Sequence, residues 1–215
     1  MPFKLSKSSL SIMKECPRCF WLIQHKVWKR PEGIRMTLPN GMDGILKKHF
    51  DKFRERKQLP PEICNNGHCK DMRLFDDMEL LKVWRNNFKG VRFQDEEGNI
   101  LSGAVDDVLK TGNKLIVMDY KTRGYALKED THEFYQDQLD IYSWLFQKNG
   151  YQVEDYGFLL FYYPKEVLET GEVVFHTELK KMHVHVANAE KIWNEALKLL
   201  KEDCPQSCCE WCKGR

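Results

Sequence analysis

The hydrophobic and polar positions of this chain follow two periods, one typical of helices and one typical of strands. Apolar residues recur every three or four positions in four segments, which predicts helices over about 42–57, 72–88, 133–148 and 187–201. Apolar runs at 115–118, 156–163 and 173–179 predict strands. A first, shorter helix should end or kink at Pro17, because proline disrupts a helix interior.

The segment from Leu101 to Arg123 holds the acidic residues with the clearest chemical meaning. It reads as two strands joined by a turn at 111–113, with Asp106 near the end of the first strand and Asp119 in the second. Residues two apart in a strand point to the same face, so Asp119 and Lys121 should project together. If the hairpin brings Asp106 beside them, the two carboxylates suit Mg²⁺ or Mn²⁺. A carboxylate that follows a buried apolar run is costly unless it is paired or bound to a metal.

The predicted helix over 42–57 carries a histidine among its apolar positions. His49 lies four residues after Ile45 and four before Phe53, so we expect it on the inward face, either as a core residue or as a metal ligand. The basic residues of this helix, Lys47 and Arg54 among them, should form its solvated outer face.

The composition indicates a soluble globular protein but does not indicate what the protein binds. The chain has 215 residues, of which 42% are hydrophobic and 31% charged, as expected for one soluble globular domain spanning 1–215. No apolar run could span a bilayer and the first residues lack the apolar core of a secretory signal, so we expect a cytoplasmic protein without a membrane partner. A net charge of +2 gives no overall basic signature of nucleic-acid binding, although acidic metal ligands would offset local Lys and Arg.

Six of the eight cysteines lie near the two ends of the chain, at about 6–20 and 203–213, and Cys64 and Cys69 lie between them. In a cytoplasmic protein such a count favours metal or cluster binding over disulfides. Four thiolates complete a tetrahedral zinc site or hold a 4Fe–4S cluster. The residues alone leave two ways to reach four: Cys16-x-x-Cys19 with Cys209-x-x-Cys212, or one early cysteine with three from the tail.

Five separated motifs resemble the RecB-like branch of the PD-(D/E)XK nucleases, in the expected order. They are the Ser-rich start with Cys-Pro-Arg-x-Phe, the glycine-led helix reaching His49, Gly103-x-x-Asp106, Asp119-Tyr120-Lys121-Thr122, and Gln138-x-x-x-Tyr142; the cysteine-rich tail follows them. The chain is especially similar to the single-domain nucleases associated with CRISPR adaptation and to the AddB type, which bind an iron–sulfur cluster. The resemblance implies an α/β fold, a mixed sheet flanked by helices, with the two chain ends joined by a cysteine-bound cluster.

The same resemblance implies a role for individual residues. Mg²⁺ or Mn²⁺ would be held by His49, Asp106, Asp119 and the backbone carbonyl of Tyr120, while Lys121 would position water or stabilise charge. Asp107 is a substitute candidate for Asp106, and Gln138 and Tyr142 would line the site. The implied ligands of a 4Fe–4S cluster, or of zinc as the alternative, are Cys16, Cys204, Cys209 and Cys212, with Cys19 and Cys208 as alternates.

The function implied by the resemblance is metal-dependent hydrolysis of DNA phosphodiester bonds. The expected form is an exonuclease acting on single-stranded or end-processed DNA, in CRISPR adaptation or DNA repair, with the proteins of such a complex as further partners. A catalytically silent DNA-binding or scaffold protein of the same fold is the alternative.

Overall fold

The protein is described here by a computed structural model that covers residues 2–31, 33, 37–65 and 67–214. These residues form strands in two sheets, with helices on both sides of the larger sheet. The strands are β1 (Lys4–Ser6), β2 (Arg73–Leu74), β3 (Val91–Gln94), β4 (Ile100–Gly103), β5 (Asp107–Thr111), β6 (Lys114–Thr122), β7 (Tyr156–Val167) and β8 (Val173–His183). The α-helices are α1 (Lys7–Glu15), α2 (Pro17–Gln24), α3 (Thr37–Glu55), α4 (Pro61–Cys64), α5 (Met78–Trp84), α6 (Gln136–Lys148) and α7 (Val186–Lys201).

The larger sheet has the order β2-β5-β6-β7-β8 and is mixed, because β6 and β7 are parallel while the other neighbours are antiparallel. The smaller sheet has the order β1-β4-β3, with β1 parallel to β4. The expected fold class, an α/β arrangement of mixed sheets flanked by helices, is confirmed. The predicted strand leading to Asp106 is instead two strands: β4 ends at Gly103 in the smaller sheet, and β5 begins at Asp107 in the larger one.

Strand β6 lies at the centre of the larger sheet and between two helical layers. Every residue from Leu115 to Tyr120 is buried, as the apolar run predicts for a covered strand. On one face α6 contributes Leu139 to the main hydrophobic cluster. On the other face α3 contributes Phe50, whose ring packs 4.9 Å from the ring of Tyr120. The end of β6 is therefore enclosed between α6 and α3.

Two predicted helices differ from the observed ones. The predicted helix over 72–88 is shorter, because Arg73–Leu74 pairs with β5 and α5 begins only after Asp77, whose side chain caps it by accepting from the Leu80 N–H. Helix α3 begins earlier than predicted, at Thr37, and presents a different face. Ile45 is 63% exposed, whereas Arg54, expected in solvent, is 5% exposed.

The two cysteine-rich ends of the chain meet beside α1 and α2. A small cluster of buried residues there contains Cys16, Cys19, Leu22 and Cys212, with Trp21 and Trp28 packed against it. In the described part of the chain, no helix combines the length and the apolar character needed to cross a bilayer.

Candidate active site

The carboxyl end of β6 carries the first two residues of the candidate active site. Asp119 and Lys121 lie on the α6 side of the strand, while the Tyr120 side chain turns to the α3 side, as strand alternation requires. The Lys121 ammonium forms an ion pair with Asp119 Oδ2. Asp119 is only 2% exposed, so this ion pair is held in surroundings of low polarity.

Asp106 reaches the same place from the segment that crosses between the two sheets. Its Oδ2 accepts a hydrogen bond of 2.9 Å from the Tyr120 N–H, which brings the carboxyl group against the end of β6. Burial, followed by the nearby negative charge of Asp119, raises the pKa of Asp106 to about 7. The structure thus brings Asp106, Asp119 and Lys121 together.

Two residues of α6 complete this group from above the sheet. Gln138 Nε2 donates to Asp119 Oδ1 at 2.5 Å, and Gln138 Oε1 accepts from Lys121 Nζ at 3.1 Å. This amide orientation is the one that matches a donor to the carboxylate and an acceptor to the ammonium. Gln138 Nε2 also lies 3.3 Å from the Tyr142 hydroxyl oxygen, one helical turn further along. The amide therefore fixes the relative positions of Asp119 and Lys121.

Tyr142 connects this group to a cavity of about 280 Å³ near the amino-terminal end of α1. Its ring lies against Gly103, where a Cβ atom would come within 2.5 Å of the tyrosine Cε1, so glycine is needed for this close approach. Burial, and then the charges of Asp119 and Asp106, raise the pKa of the Tyr142 hydroxyl far above its usual range. The hydroxyl consequently stays protonated beside the two carboxyl groups.

His49 does not join these residues. Its Nε2 lies 3.0 Å from Glu62 Oε1, and its ring packs edge-on against Phe53. The side of α3 that faces the carboxylates is instead occupied by Lys47, whose Nζ lies 3.3 Å from Asp106 Oδ1. Lys47 and His49 are two residues apart and so lie on different sides of the helix. The expectation that Lys47 is solvated on the outer face is wrong.

Lys47 is held between two carboxylates. Its ammonium also contacts Asp43 Oδ1 at 2.7 Å, one turn earlier on α3. Although burial opposes the charge, Asp106 and Asp43 raise the pKa of Lys47 above its usual value. Asp43 thus adds a third carboxylate at the edge of the group.

A further lysine approaches from the start of α1. Burial, and then repulsion from Lys121, lower the pKa of Lys7, while Asp119 and Asp137 oppose that change. Lys7 also lines the cavity that Tyr142 borders. Three ammonium groups, from Lys7, Lys47 and Lys121, therefore interact with the charges of this group, a distribution suited to a phosphate group.

Lys7, Asp43 and Lys47 belong to the site although their sequence pattern did not predict them there. For α3 a signal was present: acidic and basic residues alternate at helical spacing along one stripe, at 43, 47, 51 and 54. For Lys7 no comparable pattern exists, because its position depends on how α1 packs against α6.

Asp107 points away from Asp106 and does not serve as its substitute. It is fully buried and forms ion pairs with Arg54 and with Arg85, the latter at 2.8 Å. It also accepts a hydrogen bond of 2.7 Å from the Tyr120 hydroxyl. Arg85 Nε in turn donates to the Asp106 backbone carbonyl at 2.8 Å. This buried network supports the backbone from which the Asp106 side chain projects.

The cysteine-rich ends form a second candidate site. The sulfur atoms of Cys16, Cys19, Cys209 and Cys212 all lie within 4.8 Å of one another. Cys204, which the resemblance implied as a ligand, is outside this group: its Sγ accepts a hydrogen bond of 3.4 Å from Arg18 Nη1. Cys208 is exposed. Cys19, expected only as an alternate, therefore takes the place assigned to Cys204.

The oxygen atoms of the candidate active site suit a hard divalent ion. Asp119 Oδ2 is buried and, among the described residues, receives no hydrogen bond in addition to its ion pair with Lys121. A buried carboxylate oxygen with remaining lone pairs next to a second carboxyl group fits the oxygen coordination that Mg²⁺ and Mn²⁺ prefer.

Comparison with known proteins places the chain in a family. A model of the PD-(D/E)XK nuclease superfamily matches residues 43–214, about four fifths of the chain, and the chain belongs to that superfamily. Its members are generally nucleases that use divalent metals, which indicates metal-dependent nuclease chemistry for this fold. A search among curated proteins finds no match.

Proposed function

We propose that this protein is a deoxyribonuclease that hydrolyses phosphodiester bonds at the end of β6 with the help of Mg²⁺ or Mn²⁺. The observation that carries the proposal is the meeting of Asp106, Asp119 and Lys121, which come from separate parts of the fold. Gln138 and Tyr142 from α6 complete the group.

Asp106 and Asp119 would hold the ion, together with the backbone carbonyl of Tyr120. When bound, a divalent ion supplies a water of lowered pKa and offsets negative charge on the reacting phosphate. His49 has no part in this scheme, because its imidazole is turned toward Glu62.

The chain's own residues would do the remaining work. The Lys121 ammonium, held by Gln138, is placed to orient the attacking water and to stabilise charge that develops on the phosphate. The amide also restrains Asp119, so the carboxylate and the ammonium keep one geometry. Lys7 and Lys47 add positive charge around the carboxylates, which favours the approach of a DNA backbone.

The finer features of the proposal rest on the resemblance to RecB-like nucleases. They are exonuclease action on single-stranded or end-processed DNA and work beside the proteins of CRISPR adaptation or DNA repair. End-dependence is tested with linear and covalently closed circular DNA of the same sequence, since an exonuclease degrades only the linear form.

The experiment that tests the proposal measures cleavage of labelled single- and double-stranded DNA with Mg²⁺, with Mn²⁺ and with EDTA. Lys121→Ala should lower the rate about 100-fold or more, the scale found when one electrostatic contact to the reacting group is lost. Lys48→Ala is the matched control, because Lys48 is an exposed lysine on α3. A wild-type protein that binds DNA but never cleaves it, with either ion, would instead indicate a silent DNA-binding protein.

A further inference from the structure

The four thiols that join the two chain ends have a spacing that indicates a single metal ion. Cys16 Sγ lies 3.8 Å from Cys212 Sγ, Cys19 Sγ lies 3.5 Å from Cys209 Sγ, and Cys209 Sγ lies 3.9 Å from Cys212 Sγ. These distances exceed a disulfide bond, which joins sulfur atoms about 2 Å apart. All four sulfur atoms lie within 4.8 Å of one another, a separation expected of ligands that share one ion.

A tetrahedral zinc site has this size. With Zn–S bonds of about 2.3 Å, the sulfur atoms of a regular tetrahedron lie roughly 3.8 Å apart. A 4Fe–4S cluster does not fit, because four irons and four sulfides stand between its thiolates, which then cannot touch one another. We propose that Cys16, Cys19, Cys209 and Cys212 bind one zinc ion, and that this site replaces the iron–sulfur cluster implied by the resemblance.

The sequence around each pair supports a metal-binding turn. Cys16 caps α2, and its sulfur accepts from the Cys19 N–H at 3.5 Å, while Cys212 Sγ accepts from the Cys209 N–H at 3.4 Å. Each Cys-x-x-Cys pair thus folds back so that both sulfurs point to one centre. Backbone N–H groups directed at sulfur stabilise thiolates, which are the metal-binding form.

The surroundings also match a charged thiolate site. Cys16, Cys19 and Cys212 are at most 4% exposed, so an ion bound by these thiolates would be shielded from water. Four thiolates around Zn²⁺ carry a net charge of about −2 by simple counting of ligand charges. Arg30 lies beside them, with its Nη2 4.0 Å from Cys209 Sγ and its Nη1 bonded to Glu15 at 2.6 Å. A guanidinium in this position offsets part of that charge.

Zinc is favoured over a single iron for two reasons. Affinity for a given set of ligands is higher for Zn²⁺ than for Fe²⁺, and a closed set of four thiolates is the usual structural zinc site. No position is left for substrate or water. We therefore assign the ion a structural role, which is to fasten the start of α2 to the segment that follows α7 and to close the fold independently of the nuclease site.

The experiment begins with metal analysis of the purified full chain and X-ray absorption at the zinc edge. We expect about one zinc per chain, with four sulfur neighbours at about 2.3 Å and no second metal nearby. In parallel, metal-free protein is incubated with Zn²⁺ alone or, anaerobically, with iron and sulfide, and the bound metal is measured. Cobalt substitution should give the visible bands of a tetrahedral four-sulfur site.

Two cysteine variants distinguish the ligand sets. Cys19→Ser should lower zinc content and affinity at least tenfold, whereas Cys204→Ser should keep one zinc per chain. Should Cys19→Ser fail to fold, Cys19→His provides the second measurement: histidine is a good zinc ligand and should retain the ion, with one nitrogen replacing one sulfur in the absorption spectrum.

Several outcomes would overturn the assignment. They are a four-iron cluster that assembles anaerobically in wild type, a single bound iron, a chain that takes up neither metal, or zinc content that depends on Cys204 and not on Cys19. None of these readings involves DNA cleavage, so the zinc site and the proposed nuclease function can fail separately.

Discussion

Asp106 and Asp107 are neighbours in sequence, yet their replacement by asparagine should affect stability differently: a large loss for Asp107 and no loss for Asp106. Asp107 is fully buried between Arg54 and Arg85, whose side chains are only 3% and 10% exposed. Asp106 projects to the other side, and its side chain remains 21% exposed. The comparison therefore separates a structural carboxylate from one that is kept for metal binding.

The expected loss of stability for Asp107→Asn follows from the ion pairs that Arg54 and Arg85 would lose. Removing one partner of a buried ion pair costs about 3–5 kcal/mol, because the remaining charge stays buried without compensation. Arg54 and Arg85 both keep an ion pair with Asp51, which places the expected loss near the lower end, about 3 kcal/mol. The asparagine NH₂ group would also face guanidinium donors, since an amide offers one acceptor oxygen where the carboxylate offers two.

For Asp106→Asn we expect no loss of stability, or a gain, when metal is absent. The raised pKa of Asp106 means that its charged form is disfavoured in the folded state. The folded chain then binds more protons than the unfolded chain between about pH 4 and 7, so stability from this group falls as pH rises through that range. Replacing the carboxyl by a neutral amide removes this penalty above pH 7.

The assay is urea unfolding followed by circular dichroism at pH 8, first with EDTA and then with Mn²⁺. Mn²⁺ should stabilise wild type and folded Asp107→Asn, but not Asp106→Asn. The reasoning is refuted if Asp107→Asn stays within about 1 kcal/mol of wild type, well short of the cost of unpairing a buried charge. It is equally refuted if Asp106→Asn is the less stable of the two in EDTA.

Three further outcomes are expected. Lys47→Met should tighten Mn²⁺ binding, measured by electron paramagnetic resonance, because it removes a competing ammonium from beside Asp106; unchanged affinity would contradict this. Below pH 7 the affinity of wild type for Mn²⁺ should weaken about tenfold per pH unit, because the Asp106 carboxyl, with a pKa of about 7, must lose its proton to bind metal. A Mn²⁺ affinity that stays constant from about pH 5 to 7 would contradict this. Gly103→Ala should lower the free energy of unfolding by about 1–3 kcal/mol through a clash with Tyr142, whereas Gly124→Ala, with no atom within 4 Å of its added Cβ, should have little effect in the same urea assay.

The residues that sequence reasoning located are those fixed by local geometry. Alternation along β6 places Asp119 and Lys121 on one face whatever packs above them. The helical spacing of Gln138 and Tyr142 likewise puts both on one side of α6. These relations depend on one element each, and the apolar run before Asp119 marks the strand clearly.

The residues that it misplaced depend on tertiary contacts. Apolar periodicity assigned His49 to the inward face of α3. Besides its apolar contacts, that helix presents a charged stripe whose partners, Asp106 and Asp107, come from a distant segment. Charged residues indicate a solvent-exposed helix face only when no buried group of opposite charge is available to pair with them. The choice between Cys19 and Cys204 was of the same kind, because both lie at suitable places in the sequence and only packing decides between them.

The parallel pairing of β1 with β4 has a practical consequence for handling the protein. Residues 4–6 pair with residues 100–102, and the chain reaches Asp106 four residues later. The segment 209–212 is likewise fixed in place, because Cys209 and Cys212 belong to the group of four cysteines. Purification tags or fluorophores placed against either segment would strain functional geometry. The turn between β7 and β8, at 168–172, extends past the last paired residue of β6 and is exposed throughout, so it offers an attachment point outside both segments.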